Sequence, residues 1–351
     1  MAINFALKYA SKIAEAFTHA SFVKGVFKAK MNFTGVKTVR IYRLLTNDET
    51  DYQRKGTNRY GEPSDVQDVV DEYTMTQDKA FTGIVDKGDE SDQAISGKAG
   101  AWLKAQLKER STPTADKYAF QRMADLGTIL PVSAKPTKTT VVSLFADAQE
   151  AFDNALVPNE GRFAFVTAEM YKYIAMSDEF VKIEKLGVQS IGRGHVGELF
   201  GFQIIKVPTA YLPANAYAVF SIPGAGAMPY KLSDTKIHRD PPGISGALIE
   251  GRHYYDFFVM SEKANAMLVA VLSSEQQTTV TLAKGESGGV TAASSGAKTI
   301  YYTVDGSDPR FSASRQVYTA AFTPANGATV RAVAYADGKF HSAIAELKYT
   351  A

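Results

Sequence analysis

Two strand-like segments of this chain are joined by a stretch that cannot bury itself. Val36–Leu45 alternates Val39 and Ile41 against Arg40 and Tyr42, and Val69–Met75 is again strand-like. Between them, Thr46–Asp68 is polar, holds Gly56, Gly61 and Pro63, and has almost no aliphatic residues. A connection of that length is uncommon inside a compact domain. The pattern predicts a long hairpin that leaves the body of the protein, with a tip that has no core of its own. An isolated two-stranded ribbon is marginal in water, so the hairpin needs outside support, which a neighbouring chain can supply. A plain surface loop is the alternative.

The rest of the chain has ample material for a core. It has 351 residues, enough for two or three domains, and 45% are hydrophobic against 22% charged, an ordinary globular balance. Net charge is +2, too balanced for a protein whose affinity comes from neutralising many phosphates. There is no cysteine, which excludes disulfides and thiolate metal sites. The start, MAINFALKYASKIAEAF, is interrupted by Lys8, Lys12 and Glu15 and lacks the apolar run of a signal peptide. No apolar stretch approaches the ~18 residues of a membrane span.

Ala2–Lys30 reads as a helical arm with Phe5, Tyr9, Ile13, Ala16 and Phe17 as its apolar points. The acidic run Asp86–Asp92 precedes a helix whose Ile95, Ala99, Trp102, Leu103 and Leu107 share one face, with Lys108 and Arg110 closing it. Thr139–Leu156 is a second helix, striped by Val141, Phe145, Ala148, Phe152 and Leu156. Strands are expected at Arg162–Val166, Gln203–Val207, Thr235–His238, Ala247–Glu250 and Tyr254–Met260, with a short helix at Ala168–Met176. Helices and strands mix without a regular βαβ repeat, which makes the class α+β. After Ser274, Ser, Thr, Gly and Ala dominate. Short strands at Thr278–Ala283, Lys298–Thr303, Ala328–Ala336 and Phe340–Tyr349 make a small β-sandwich, with Asp337-Gly338 as a hairpin turn and Ala343, Ala345, Leu347 and Tyr349 on its buried face.

Several motifs match chemistry by letter and fail by context. Gly192, Gly194 and Gly197 fit a dinucleotide fingerprint, but a strand and not a helix is expected to follow. Gly285, Ser287 and Gly289 fit a nucleophile elbow, yet no helix follows and His341, with Asp305 or Asp308 behind it, is not at a supporting spacing. No two of His19, His195, His238, His253 and His341 lie four apart, and Asp86, Asp89, Glu90 and Asp92 lack the spacing of a calcium loop. His238-Arg239-Asp240 matches a kinase catalytic loop only as a tripeptide. No catalytic residue, cofactor or metal is expected. In the hairpin, Lys37, Arg40, Arg43, Arg54, Lys55 and Arg59 are offset by Asp48, Glu49, Asp51, Glu62 and Asp65. Mixed signs fit charge-complementary contacts between protein subunits better than a phosphate track.

Four segments in order resemble the major capsid proteins of tailed phages with the Hong Kong 97 fold. They are TMTQDKAFTGIVDKGDESDQA (Thr74–Ala94) with the Trp102 helix, VPNEGRFAFVTAEMYKYIAMSDEF (Val157–Phe180), GHVGELFGFQIIKVP (Gly194–Pro208) and GRHYYDFFVMSEKANAM (Gly251–Met267). The resemblance covers Ala2 to about Leu272. It implies an N-terminal arm over 1–34, an extended loop over 35–87 and a peripheral domain over 88–138 and 229–272 that contains a spine helix. An axial domain would cover 139–228. It also implies self-association into pentamers and hexamers, with inter-capsomer contacts, around a double-stranded DNA genome held without sequence readout. Portal and decoration proteins are implied partners. Because the arm starts at Met1, a separate scaffold or none is expected. The location implied is the virion, assembled in the bacterial cytoplasm, with no membrane partner. Subunit-contact candidates are Arg40, Arg43, Arg54, Lys55, Arg59, Glu62, Asp65 and Trp102. Lys55 and Asn58 lie in the loop that some relatives cross-link, but nothing identifies the partner groups and no cross-link is expected.

The tail, TIYYTVDGSDPRFSASRQVYTAAF and ATVRAVAYADGKFHSAIAELKY, resembles the C-terminal sandwich of chitobiase-type enzymes, related to immunoglobulin-like modules. Assigned to 275–351, it implies an outward decoration module. Tyr301, Tyr302, Tyr318 and Tyr335 are candidate glycan-stacking residues, unless they fill the sandwich. A carbohydrate-binding virion surface or tail protein is the alternative function.

Overall fold

The computed structural model describes residues 20–27, 37–44, 49–61, 68–87, 98–177, 195–285 and 288–350, in two compact units. The first unit comprises Met1–Gly35, Met75–Gly127 and Pro136–Val269; the second comprises Val36–Thr74, Thr128–Lys135 and Ala270–Ala351. The expected helical arm lies outside the described residues up to position 19, and Ala20–Phe27 is a turn, not helix. That turn is anchored in the first unit: Ser21 Oγ and the Phe22 amide donate to the buried Asp116 carboxylate at 2.6 and 2.8 Å.

In chain order the strands are β1 Thr38–Leu44, β2 Asp68–Thr74, β3 Gln77–Asp86, β4 Thr128–Val132, β5 Phe163–Thr167, β6 His195–Leu199, β7 Phe202–Val207, β8 Ala216–Ser221 and β9 Gly226–Ala227. They continue with β10 Tyr230–Arg239, β11 Gly246–Tyr255, β12 Phe258–Val259, β13 Met267–Leu272, β14 Thr281–Lys284 and β15 Val290–Ala293. The last are β16 Thr299–Thr303, β17 Gln316–Val317, β18 Thr329–Tyr335 and β19 Ala345–Lys348. The helices are α1 Lys98–Gln106, α2 Thr112–Leu126, α3 Val141–Asn154 and α4 Ala168–Ala175.

The core of the first unit is a sheet in which β13, β8, β5, β7 and β6 lie side by side. β5 pairs parallel with β7 and antiparallel with β8. Every residue of β5 is buried, as expected of a central strand covered on both faces. On one face, Phe145 and Phe152 of α3 meet Phe202 and Phe220 with ring centroids 5.0–6.2 Å apart. On the other, Phe120 of α2 meets Phe165 at 5.1 Å, and Phe27 packs on Phe163 and Phe257. Arg162, at the mouth of β5, is buried over Phe152 and Phe202. Its guanidinium donates to Asp153 at 2.7 Å and to the carbonyls of Val157 and Pro158 at 2.6 and 2.9 Å. A second sheet in this unit has the order β10-β11-β3, all antiparallel.

The helix expected to close at Lys108 and Arg110 does not close there. Those residues lie in a single π turn, Leu107–Ser111, from which the chain continues directly into α2. Pro113 lies just past the π turn and supplies no ladder amide to this continuous helix. The strand expected to follow Gly197 is part of a hairpin: β6 and β7 pair antiparallel and turn at Phe200 and Gly201, both with positive φ (50° and 75°).

In the second unit, β14-β15 and β17-β16-β18-β19 form the expected small sandwich, cored by Val280, Ala292, Tyr302, Ala332 and Ala334. Asp337-Gly338 does not close a tight hairpin. Register runs Thr329↔Lys348 to Ala332↔Ala345, and the intervening chain peels away so that Phe340 bridges Gln276. Ser342, not Ala343, is consequently the buried residue there.

Candidate functional site

The hairpin forms as its alternation predicts. β1 and β2 pair antiparallel from Thr38↔Thr74 to Leu44↔Asp68. On one face Arg40 meets Glu72 across the pair at 2.5 Å, and Thr38 and Thr74 share a hydroxyl hydrogen bond of 2.7 Å. On the other, Asp71 and Tyr73 are buried. Beyond the ribbon, every residue from Glu49 to Tyr60 is exposed. The tip is ordered by its own backbone: the Gln53 amide donates to the Arg59 carbonyl at 2.9 Å, and the Gly61 amide to that of Asn58 at 3.1 Å. Gly56 and Gly61 take positive φ there (100° and 90°), which a side chain would strain.

Of the contact candidates, Arg40, Arg54, Lys55 and Arg59 share this ribbon and tip, and Arg59 Nε donates to the Gly56 carbonyl at 3.2 Å. Arg43 lies on β1 opposite Val69. Glu62 and Asp65 lie outside the described residues. Trp102 belongs to α1 of the first unit, 6.1 Å from the Phe81 ring and against the bare backbone of Gly83. The β10-β11-β3 sheet carries mixed charge like the ribbon: Arg252 forks onto Asp78 at 2.5 and 2.9 Å, and His238 meets Glu250 at 3.2 Å. The Arg252 guanidinium holds the Asp78 carboxyl below its ordinary value.

The motifs set aside in the sequence do not assemble. Ser287, Gly192 and Gly194 lie outside the described residues, and Gly197 belongs to β6. His341 is buried, with Nδ1 2.8 Å from the Ser342 carbonyl. No group of three or more potential metal ligands exists among the described residues. No described helix is long and apolar enough to cross a membrane.

The fold itself has close counterparts. A structure titled Mycobacterium phage Che8 superposes with a TM-score of 0.64 at 21% identity, over 76% of this chain and 97% of the other. The capsid structure of the cyanophage P-SCSP1u gives 0.60 at 14% identity, over 76% and 93%. The mature capsid of bacteriophage PhiM1 gives 0.58 at 14%, over 77% and 93%. This is a Hong Kong 97-like phage-capsid fold. Residues 290–349 separately match a family described as Fn3 associated, so the capsid fold here carries an added immunoglobulin-like module. No curated protein matches the sequence.

Within that module the candidate tyrosines divide. Tyr302 and Tyr318 belong to the sandwich core, where Tyr302 stacks on Phe322 at 4.0 Å and donates its hydroxyl to Gln316 at 2.7 Å. Tyr301 and Tyr335 pack edge to face at 5.7 Å on the opposite face, with the Arg315 guanidinium 4.8 Å over Tyr301. The four rings form no common platform. On the capsid-fold ribbon, sequence reasoning missed Tyr52 and Tyr60, which pack edge to face at 5.0 Å while remaining 51% and 87% exposed. The available signal was two aromatics in an otherwise polar stretch. Such rings are typical anchors of protein interfaces.

Proposed function

We propose that the chain is a major capsid protein, a non-catalytic subunit that assembles with itself into pentamers and hexamers and closes them into an icosahedral shell around double-stranded DNA. The observation that carries this reading is the extent of the shared fold, which spans more than nine-tenths of the P-SCSP1u and PhiM1 capsid chains. The ribbon of 35–87 acts as the extended loop, which drapes over an adjacent copy. Residues 88–138 and 229–272 act as the peripheral domain and 139–228 as the axial domain. An exposed, ordered tip with an aromatic pair and mixed charge supports that role, since it offers protein contacts without a phosphate track. Each contact can be weak, because multivalency in a closed lattice makes the whole strong and lets misplaced subunits leave. A portal is the partner such a shell calls for, with a separate scaffold or none and an optional decoration protein, and the virion is its location.

Negative-stain microscopy of the purified protein tests the reading, with closed shells or capsomer rings expected. Deleting residues 48–65 is expected to leave a folded monomer that makes no stable shells. Normal shells from that deletion overturn the role of the ribbon, and a strictly monomeric full-length protein under all assembly conditions overturns the capsid reading.

A further inference from the structure

β2 has partners on both edges. Along one runs β1. Along the other, the Ala313 amide donates to the Val70 carbonyl at 3.1 Å, and Asp71 bridges Ser312 in antiparallel register. The second partner belongs to the immunoglobulin-like module, about 240 residues further along the chain. The two-stranded ribbon is therefore bridged at one point on its second edge, which adds main-chain support to a hairpin that is marginal by itself. The added segment works by β-augmentation, in which main-chain bonds extend an open strand edge.

The segment that does this is built rigidly. It is the turn of the DGSDPRFSAS motif, Asp305–Ser314, which the proposed function leaves without a task. Asp305 accepts from the Ser307 amide at 3.0 Å, from the Ser307 hydroxyl and from Ser314 Oγ at 2.6 Å. Arg310, itself buried, pairs with Asp308 at 2.7 Å. Arg315 donates to the Arg310 carbonyl at 3.2 Å, and Ser312 Oγ lies 2.8 Å from Ser314 Oγ. Most of the side-chain freedom that docking would freeze is already frozen in the turn, so docking costs little further entropy. Burial follows the same line: Asp71, Tyr73 and Ser312 are buried, whereas the described tip residues up to Tyr60 are all exposed.

We infer that the C-terminal module is a built-in brace, whose Asp305–Ser314 turn bridges the second edge of the ribbon from its own chain and so fixes the base from which the tip projects. The assignment deepens the capsid reading but its geometry does not depend on it. It adds a support from the same chain to the one a neighbouring chain can supply.

Because the chain has no cysteine, the contact can be trapped cleanly. Val70 and Ala313 are directly opposed in the register set by Asp71↔Ser312, and opposed antiparallel residues are about 4.5–5.5 Å apart at Cα, within disulfide reach. Full-length Val70→Cys/Ala313→Cys is expected to oxidise to an intrachain cross-link in the purified monomer, seen as a faster band on a non-reducing gel. Cross-links only between chains, or none, overturn the brace. Ala313→Pro removes the donor amide at an exposed position. It is expected to speed hydrogen exchange of peptides covering 38–44 and 68–74 by about 3- to 10-fold, with the 329–335 peptide unchanged. Ala313→Ser keeps the amide and is expected to match wild type. Equal ribbon exchange in both variants overturns the brace. An intrachain cross-link in a protein that never forms shells leaves the brace standing and removes the capsid reading.

Discussion

The chain contains one tryptophan, and its position makes the packing of α1 on β3 measurable. Trp102 lies across Gly83 so closely that a Cβ there would sit 2.7, 2.8 and 3.0 Å from Cη2, Cζ2 and Cζ3 of the indole. Relaxed carbon contacts are about 3.5–4.0 Å, so Gly83→Ala must push the ring away by about 1 Å. Overpacking of this kind costs about 1–3 kcal/mol. Trp102 is only half-buried, so the ring has an escape toward solvent, which keeps the expected loss near 2 kcal/mol. The assay is intrinsic fluorescence. Gly83→Ala is expected to red-shift emission, raise acrylamide quenching and lower the urea midpoint followed at Trp102. Gly100→Ala is the control on the same helix: nothing lies within 4 Å of its Cβ, and an Ala in place of Gly should gain up to about 1 kcal/mol. Wild-type emission, quenching and midpoint in Gly83→Ala would refute the reasoning.

Arg162→Met is expected to destabilise the first unit by about 3 kcal/mol in thermal or urea melts, because the Val157 and Pro158 carbonyls and Asp153 all lose their donor. Arg162→Lys should recover only part, since a single ammonium nitrogen cannot stand at both the Nε and Nη2 positions from which these acceptors are reached. The brace turn is expected to be acid-sensitive: burial alone would raise the Asp305 carboxyl, but the hydrogen bonds from Ser307 and Ser314 hold it below its ordinary 3.8. A depressed folded value means that this stabilisation is fully present above about pH 4 and is lost as pH falls through the folded value. Near-ultraviolet dichroism of the tyrosine-rich sandwich across pH 2–5 checks this, with the acid limb flattened in Asp305→Asn.

The ribbon was the most legible part of the fold, because two alternating strands flanked a stretch with nothing to bury. α3 was equally plain, with Phe145, Ala148 and Phe152 on one stripe and all three buried. The continuity of α1 through the π turn into α2 was hidden, since Lys108 and Arg110 read as the closing bases of a helix, and the structure carries the helix past them and past Pro113. β13, the run MLVAVL, was given no element in the sequence reading, because a strand buried on both faces has no alternation to betray it. At the site, Arg40, Arg54, Lys55 and Arg59 were singled out by their mixed-charge setting, and the structure places them on the ribbon and its tip. The brace was out of reach: Asp71 and Ser312 meet through backbone groups, and backbone pairing between distant loops leaves no periodic mark in either sequence.

The order of synthesis gives the brace a timing. β2 leaves the ribosome about 240 residues before Ser312 exists, an interval of roughly 12–48 s at about 5–20 residues per second. Through that interval the hairpin lacks the bridge on its second edge. Nascent chains on one messenger thus hold only a pliant form of their most extended element, and its stiff form arrives with the last quarter of translation. Whatever requires that stiffness is denied to an unfinished polypeptide.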